Sequence, residues 1–173
     1  MTYNIKQIAS ILGISSSKLN TTYISLLLTD SRKLSNPSET LFFALETKNN
    51  DAHNFVSELY SSGVRNFVVT KMLPEWEEWI DANFLKVKNT LSALQKLTTY
   101  HRSVFEIPVI GITGSNGKTV VKEWLYQLLD NDFNIVRSPR SYNSQIGVPL
   151  SVWQLGPETE LGIFEAGISK PDE

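Results

Sequence analysis

Val109-Ile110-Gly111-Ile112-Thr113-Gly114-Ser115-Asn116-Gly117-Lys118-Thr119, continued by VVKEWLYQLL to Leu129, decides how this chain folds. A short β-branched run ends in Gly-Ser-Asn-Gly-Lys-Thr and passes directly into a segment of helical period. That is the strand, loop and helix order of a phosphate-binding loop. Gly114 and Gly117 let the backbone turn tightly and bring its N–H groups, with those of Ser115 and Asn116, close to an anion. The helix adds a partial positive charge of roughly half a unit at its N-terminus. Lys118 is placed to reach the outer phosphates of a nucleotide, and the Thr119 hydroxyl to ligate the accompanying magnesium ion. The strict pattern puts a glycine five residues before Gly117, where this chain has Ile112, with Gly111 one position earlier. An ordinary Gly-rich turn is the alternative, but strand and amphipathic helix both stand where phosphate binding needs them.

Downstream, Val120, Val121, Trp124, Leu125, Leu128 and Leu129 are expected to form the buried face of the helix. Asn134 to Arg137 starts another strand. The polar segment Ser138 to Gln145 has no regular period and leads through Ile146-Gly147-Val148-Pro149 into a helix-like LSVWQL. Leu161 to Phe164 reads as a short buried strand that delivers Glu165 into Ala166-Gly167. A carboxylate at the C-terminal end of a parallel strand, beside the strand bearing a phosphate loop, is where a magnesium ligand belongs. The alternative is a surface glutamate at a strand end.

Upstream, Ile5, Ile8, Ala9 and Leu12 fall at helical spacing, with Gly13 placed to stop the helix. Tyr23 to Leu28 is a β-favourable run ending in the polar Thr29-Asp30-Ser31-Arg32-Lys33. Leu41 to Leu45 is a second strand, followed by the loop Glu46 to His53. His53 reads as a surface or hydrogen-bonding residue rather than a metal ligand, since no partner His or Cys stands at ligand spacing. Phe55, Val56, Leu59 and Tyr60 form a helical face closed by Gly63, and Asn66 to Thr70 is another strand. Trp76 and Trp79 lie on one face of a predicted helix over Leu73 to Ala82. They are read as covering the core rather than as a sugar platform. Phe84 to Val87 returns as a strand, and Asn89 caps a helix bearing Leu91, Leu94, Leu97 and Thr98.

The fold class is therefore α/β. A small N-terminal α/β domain spans residues 1–88, and the first part of a doubly wound P-loop ATPase domain spans 89–173. Too few elements follow Pro108 to flank such a sheet on both faces, so the chain is expected to be the N-terminal part of a longer protein. The 173 residues are 41% hydrophobic and 20% charged, with net charge −2 and no cysteine. No basic stripe exists for nucleic acid, no thiolate metal site is available, and no apolar run reaches membrane-spanning length. A cytoplasmic protein is expected, and nothing in the residues sets an oligomeric state.

By these residues the chain resembles the ATP-dependent Mur ligases of peptidoglycan synthesis over essentially its whole length. GITGSNGKT, YNSQIGVP and the strand ending in Glu165-Ala166-Gly167 are similar to the family's central-domain motifs, in the expected order. TDSRKL, LFFAL and Asp51-Ala52-His53 are similar to its N-terminal UDP-binding domain. DSRKL with DAH most resembles the branch that adds D-alanyl-D-alanine to UDP-N-acetylmuramoyl-tripeptide. The branch that adds a diamino acid shares much of the pattern. A folylpolyglutamate synthetase-like enzyme lacks a dedicated UDP domain, and a non-catalytic nucleotide-binding module remains a third reading.

The resemblance implies that ATP phosphorylates the terminal carboxylate of the UDP-linked peptide, and that the dipeptide amine attacks the acyl phosphate. It assigns the transferring phosphate to Lys118, Mg2+ to Thr119 and Glu165, and the phosphates to Gly114 through Gly117. Asn143 falls in a motif between nucleotide and UDP-sugar, within reach of either. Ser31, Lys48, Asn49 and Asn50 match positions that hold uridine and its diphosphate. Three positions depart from the family pattern. Ser144 replaces a frequent second Asn, Asp172 a frequent Gly, and Lys170 a frequent His near a second magnesium. An ammonium close to that cation would repel it by roughly a few kcal/mol if partly desolvated, which argues against a second metal site. The family's carbamylated lysine and C-terminal domain fall after Glu173 in this comparison. Residues 1–173 alone are therefore expected to show no ligase activity, and measurable D-alanyl-D-alanine addition by this chain would contradict that expectation.

Overall fold

The structure, a computed structural model, describes residues 1–15 and 17–167. The first helix is bounded by the residues its sequence supplies for the purpose. β1 (Tyr3–Asn4) leads into α1 (Ile5–Leu12), where the Asn4 side chain accepts the Lys6 N–H at 2.8 Å as an N-cap. Gly13, with φ 81°, closes the helix in the left-handed conformation. Ile5, Ile8 and Ala9 are buried, so α1 packs as its period predicts.

The expected strand over Tyr23 to Leu28 is split. β2 (Tyr23–Ile24) pairs antiparallel with β1, whereas β3 (Leu26–Leu28) opens a separate parallel sheet. Ser25 lies between them, its N–H donating to the Glu39 carbonyl at 3.1 Å. β4 (Thr40–Phe43) is followed by the hairpin β5 (Glu46–Thr47) and β6 (Asn50–Asp51). After α2 (Val56–Ser61) come β7 (Asn66–Val69) and β8 (Asn83–Lys86). The parallel sheet has the order β3-β4-β7-β8. Every residue of β4 and β7 is buried, as central parallel strands require.

The predicted helix over Leu73 to Ala82 is instead a 3-10 turn, Pro74–Glu78. Pro74 starts it, and Trp79 leaves helical geometry at φ −84°, ψ 80°. Both tryptophans still cover the core. Trp76 stacks on Phe84 with ring centroids 5.6 Å apart, and Trp79 on Tyr60 at 3.9 Å. Asn89 caps α3 (Thr90–Ser103) by accepting the Ser92 N–H at 2.8 Å. Thr90, Ala93, Leu94, Leu97, Thr98 and His101 make its buried stripe. The chain divides into two compact units, Thr2–Leu97 and the residues from Thr98 onward.

The second unit contains β9 (Val109–Ile112), α4 (Lys118–Leu129), β10 (Ile135–Arg137), α5 (Gly147–Val152) and β11 (Leu161–Glu165). Its three strands are parallel, in the order β10-β11-β9, and central β11 is wholly buried. Here one sequence expectation is corrected. Val120, Val121, Trp124 and Leu128 are 50%, 44%, 64% and 72% exposed, while Lys122 is buried. The helix presents Lys122 and the half-buried Leu125, Tyr126 and Leu129 toward the unit's interior. Its apolar arc is wider than three strands cover, and a polar residue occupies the middle of the covered face.

His101 ends the buried stripe of α3, its Nε2 lying 3.1 Å from the Leu155 carbonyl and its ring 4.6 Å from that of Trp153. Burial disfavours the imidazolium and lowers its pKa from 6.5 to about 4. The fold holds the neutral ring, so this contribution is complete above the unfolded value of about 6.5 and is lost as pH falls toward the folded value. It corresponds to about 3 kcal/mol. Thermal unfolding followed from pH 7 to pH 4 should show a falling Tm, and His101→Leu should flatten that slope while lowering stability at pH 7.

Candidate nucleotide and metal site

The loop from Thr113 to Gly117 connects β9 to α4. Gly114 and Gly117 have φ of 133° and 80°, and a Cβ at either would meet nothing within 4 Å. The requirement for glycine is therefore set by backbone conformation, not by space. Gly117 sits at the N-cap of α4 and accepts the Val121 N–H at 2.9 Å. Ser115 and Asn116 are exposed, and their side chains have no hydrogen-bond partner among the described residues. Lys118 curls back so that its Nζ donates to the Gly114 carbonyl at 2.5 Å.

Strand register brings the second half of the site to this loop. Glu165 pairs with Ile112, the last residue of β9, and is wholly buried rather than a surface residue. The strand includes Glu165 itself, one residue beyond its predicted end. Oε2 accepts the Thr119 hydroxyl at 3.1 Å, so the two residues assigned to magnesium are in contact. Lys122 Nζ lies 2.9 Å from Oε1, yet Oε1 makes no directed hydrogen bond. The contact is an ion pair between two wholly buried groups. A hydroxyl and a buried carboxylate with unused acceptor capacity are the hard oxygen donors that Mg2+ takes, so these residues fit that ion.

The polar segment after β10 forms a third wall. Ser138 Oγ accepts the Glu165 N–H at 3.0 Å, and the Asn143 carbonyl accepts the Gly167 N–H at 2.7 Å. Gly167 leaves little room for a side chain, because a Cβ there would lie 3.0 Å from the Asn143 carbonyl oxygen. Ser144, one of the departures from the family pattern, accepts the Gly147 N–H at 3.1 Å and so fixes the start of α5. Lys170 and Asp172 lie outside the described residues.

In the first unit, Ser31 begins a 3-10 turn after β3, with Asp30 as its cap. Hydrogen bonding to the Arg32 guanidinium outweighs burial and lowers the Asp30 pKa. Lys48 and Asn49 form the tip of the β5–β6 hairpin and Asn50 follows it, all three exposed. β3 and β4 are adjacent and parallel, so both loops leave the same end of the sheet. The side chains of Ser31, Lys48, Asn49 and Asn50 make no hydrogen bond or ion pair among the described residues. They share a sheet end without forming a network.

His53 is buried and hydrogen-bonded at both nitrogens, with Nδ1 2.6 Å from Asp51 Oδ1 and Nε2 accepting the Thr70 N–H at 3.1 Å. One ligand-type atom each of Glu46, Asp51 and His53 fall within 4.8 Å of one another. Asp51 also accepts Lys71 Nζ at 2.6 Å, and Glu46 accepts the Thr70 hydroxyl. Burial pushes the Asp51 carboxyl up, but the hydrogen bonds from Lys71 and His53 overcome it and hold the pKa at about 2.

Sequence reasoning missed Lys122 and Ser138, and gave Arg140 no role. Arg140 has φ 51°, the one non-glycine residue with positive φ among the described residues. One signal was available for Lys122. It follows Lys118 by one helical turn, so it shares a face with the phosphate-loop lysine.

Residues 112–173 match the family model of the Mur ligase middle domain. The UDP-N-acetylmuramoyl-tripeptide--D-alanyl-D-alanine ligase of Bacillus subtilis (strain 168) is 32% identical over 152 residues, covering 88% of this chain and 32% of its own length. The enzyme of that name from Escherichia coli (strain K12) is 32% identical over 150 residues, with 87% and 32% covered. A solved Acinetobacter baumannii UDP-N-acetylmuramoylalanyl-D-glutamyl-2,6-diaminopimelate--D-alanyl-D-alanyl ligase superimposes with a TM-score of 0.89 at 28% identity, over 100% of this chain and 38% of that one. The chain belongs to the Mur ligase family. It spans about a third of the length of the curated relatives it matches, 32% for each of these two. The Thermotoga maritima MurF ligase solved in complex with ADP aligns over 84% of this Mur ligase chain and 32% of its own, with a TM-score of 0.71 and 27% identity.

The tightest steric constraint beside the site is Gly147. A Cβ there would lie 2.9 Å from the Tyr142 carbonyl carbon and 3.0 Å from its Cα, both backbone atoms that cannot swing away. Gly147→Ala should destabilise the chain by about 1–3 kcal/mol, read as a lower midpoint in urea unfolding.

Proposed function

We propose that this chain supplies the uridine-nucleotide-binding domain, residues 1–88, and part of the ATP-binding domain, residues 89–173, of an amide-forming ligase. The reaction is addition of D-alanyl-D-alanine to UDP-N-acetylmuramoyl-tripeptide through an acyl phosphate. The observation that carries this reading is the Thr119–Glu165 contact beside a glycine-shaped loop bearing Lys118. The names of the relatives supply the substrates. No helix among the described residues is long and apolar enough to cross a membrane.

The residues divide the work by chemistry. Backbone N–H groups from Gly114 to Gly117, at the N-terminus of α4, donate to the phosphates of ATP. Lys118 exchanges the Gly114 carbonyl for a phosphate oxygen and neutralises charge as the phosphoryl group moves to the peptide carboxylate. Thr119 and Glu165 would hold Mg2+, which would supply charge neutralisation at the phosphates. Asn143 stands on the segment between nucleotide and UDP-sugar. Ser31, Lys48, Asn49 and Asn50, at one end of the first sheet, hold uridine and its diphosphate. Phosphoryl transfer of this kind is catalysed largely by positioning and charge stabilisation, which suits a site built mainly of backbone groups and one lysine.

Thermal unfolding of this chain with Mg-ATP, UDP or UDP-N-acetylmuramoyl-tripeptide, each beside Lys118→Ala, tests the reading. A ligand at 100 times its dissociation constant should add about 2.7 kcal/mol of stability. Mg-ATP should stabilise the parent and not Lys118→Ala, whereas the UDP-peptide should stabilise both equally. Stabilisation by Mg-ATP alone would leave a phosphate-loop module without this substrate and overturn the ligase assignment.

A further inference from the structure

We propose that Lys122 is a positioning residue of the phosphate-transfer site: its buried ammonium fixes the Glu165 carboxylate and the Ser138–Arg140 turn relative to Thr119. This rests on reading Thr119 and Glu165 as the metal-holding pair. Lys122 is wholly buried near the middle of α4. Its Nζ lies 2.9 Å from Glu165 Oε1 and donates to the carbonyls of Ser138 and Arg140 at 2.8 Å and 2.5 Å. One ammonium thus meets oxygens from two segments that chain order keeps apart, the end of β11 and the turn after β10. Glu123 Oε1 stands farther off at 3.3 Å and is held by Arg137 at 2.7 Å.

Filling space does not account for this residue. Lysine is almost never fully buried unless it is paired, because desolvating its ammonium is costly. A methionine would occupy a similar volume without a charge. The charge has specific consequences instead. With Oε1 anchored by Lys122, rotation of the carboxylate is stopped with Oε2 toward the Thr119 hydroxyl. The same ammonium holds the Arg140 carbonyl at a residue whose left-handed φ of 51° is unfavourable for a side chain bearing a Cβ. That turn leads to Asn143, whose carbonyl accepts the Gly167 N–H two residues beyond Glu165. Lys122 therefore links the metal-holding end of the site to the segment that carries Asn143. Its ammonium is spent on Glu165 and on the Ser138 and Arg140 carbonyls rather than on the Thr113–Gly117 loop, so its effect belongs to the metal-dependent part of nucleotide binding.

The experiment compares the full chain with Lys122→Gln and Glu165→Gln. Lys122→Gln keeps N–H donors for the two carbonyls while removing the charge. Circular dichroism melting establishes folding, calorimetry gives ATP affinity with Mg2+ and with chelator, and Mn2+ affinity in the presence of ADP is read by electron paramagnetic resonance. Partners standing behind a metal ligand typically change metal affinity by about 10-fold to 100-fold when removed. Lys122→Gln is expected to weaken Mn2+ binding by about tenfold or more while metal-free ATP affinity stays near that of the parent. Glu165→Gln should abolish the Mg2+ dependence. Metal dependence that is lost in Glu165→Gln but intact in Lys122→Gln overturns the proposal alone. Dependence that survives in Glu165→Gln overturns the reading of the site and the proposal with it. Equal loss of metal-free and metal-dependent binding in Lys122→Gln, or failure of that variant to fold, makes Lys122 a residue of stability only and also overturns it.

Discussion

A carboxylate with no exposure to water, at the end of the central strand of a three-stranded sheet, is the constraint around which the second unit is arranged. Taking Glu165 out of water is costly, and the surrounding elements are those that compensate for it. The Thr119 hydroxyl, the Lys122 ammonium and the Ser138 hydroxyl converge on its two oxygens and its backbone N–H. They come from the first turn of α4, its middle, and the turn that follows β10. Helix, sheet and irregular segment are thereby held together through one residue, and the phosphate loop is attached to the same helix.

The two units solve the same positional problem with different means. Each is built on parallel strands, and each presents its polar loops beyond the C-terminal strand ends, where such sheets leave a crevice. In the second unit the loop backbone is constrained by glycine conformation, and the acceptor behind it is buried. In the first, the hairpin loop is exposed, and the unit's core is aromatic, with Trp76, Phe84 and Phe67 stacked in series. His53 joins that core to the polar side. Its ring lies parallel to Trp76, and its nitrogens meet Asp51 and Thr70. The hairpin bearing Lys48 and Asn49 is thus anchored at its base rather than at its tip.

Much of this was legible because local signals and tertiary demands agree. The Asn89 cap, the Gly13 stop, the buried strands and the Gly-Lys-Thr loop are each set by neighbouring residues. The place of Glu165 at the end of a buried strand was legible from the apolar run that precedes it. What could not be read was set by distant partners. The face of α4 was misassigned because apolar content was taken for burial, while the covered side is centred on a lysine whose partners lie on other segments. The tryptophan segment reads as helical by spacing, but Trp79, stacked on Tyr60 and tilted against Phe84, leaves helical geometry. The split between Ile24 and Leu26 follows from two sheets competing for one apolar run.

The bond from Lys118 to the Gly114 carbonyl has a consequence for affinity. The lysine does not wait in solvent for an anion, because the loop already ligates its own cation. On the proposed reading, an arriving phosphate displaces an internal competitor, and the free energy it gains is a difference between two acceptors. Such self-ligation keeps the ammonium near its working position and lowers the rearrangement needed on binding. It also discriminates. A weak or singly charged anion must outbid a well-placed carbonyl, whereas a polyphosphate can, so on that reading the loop carries a built-in threshold for the charge of what it accepts.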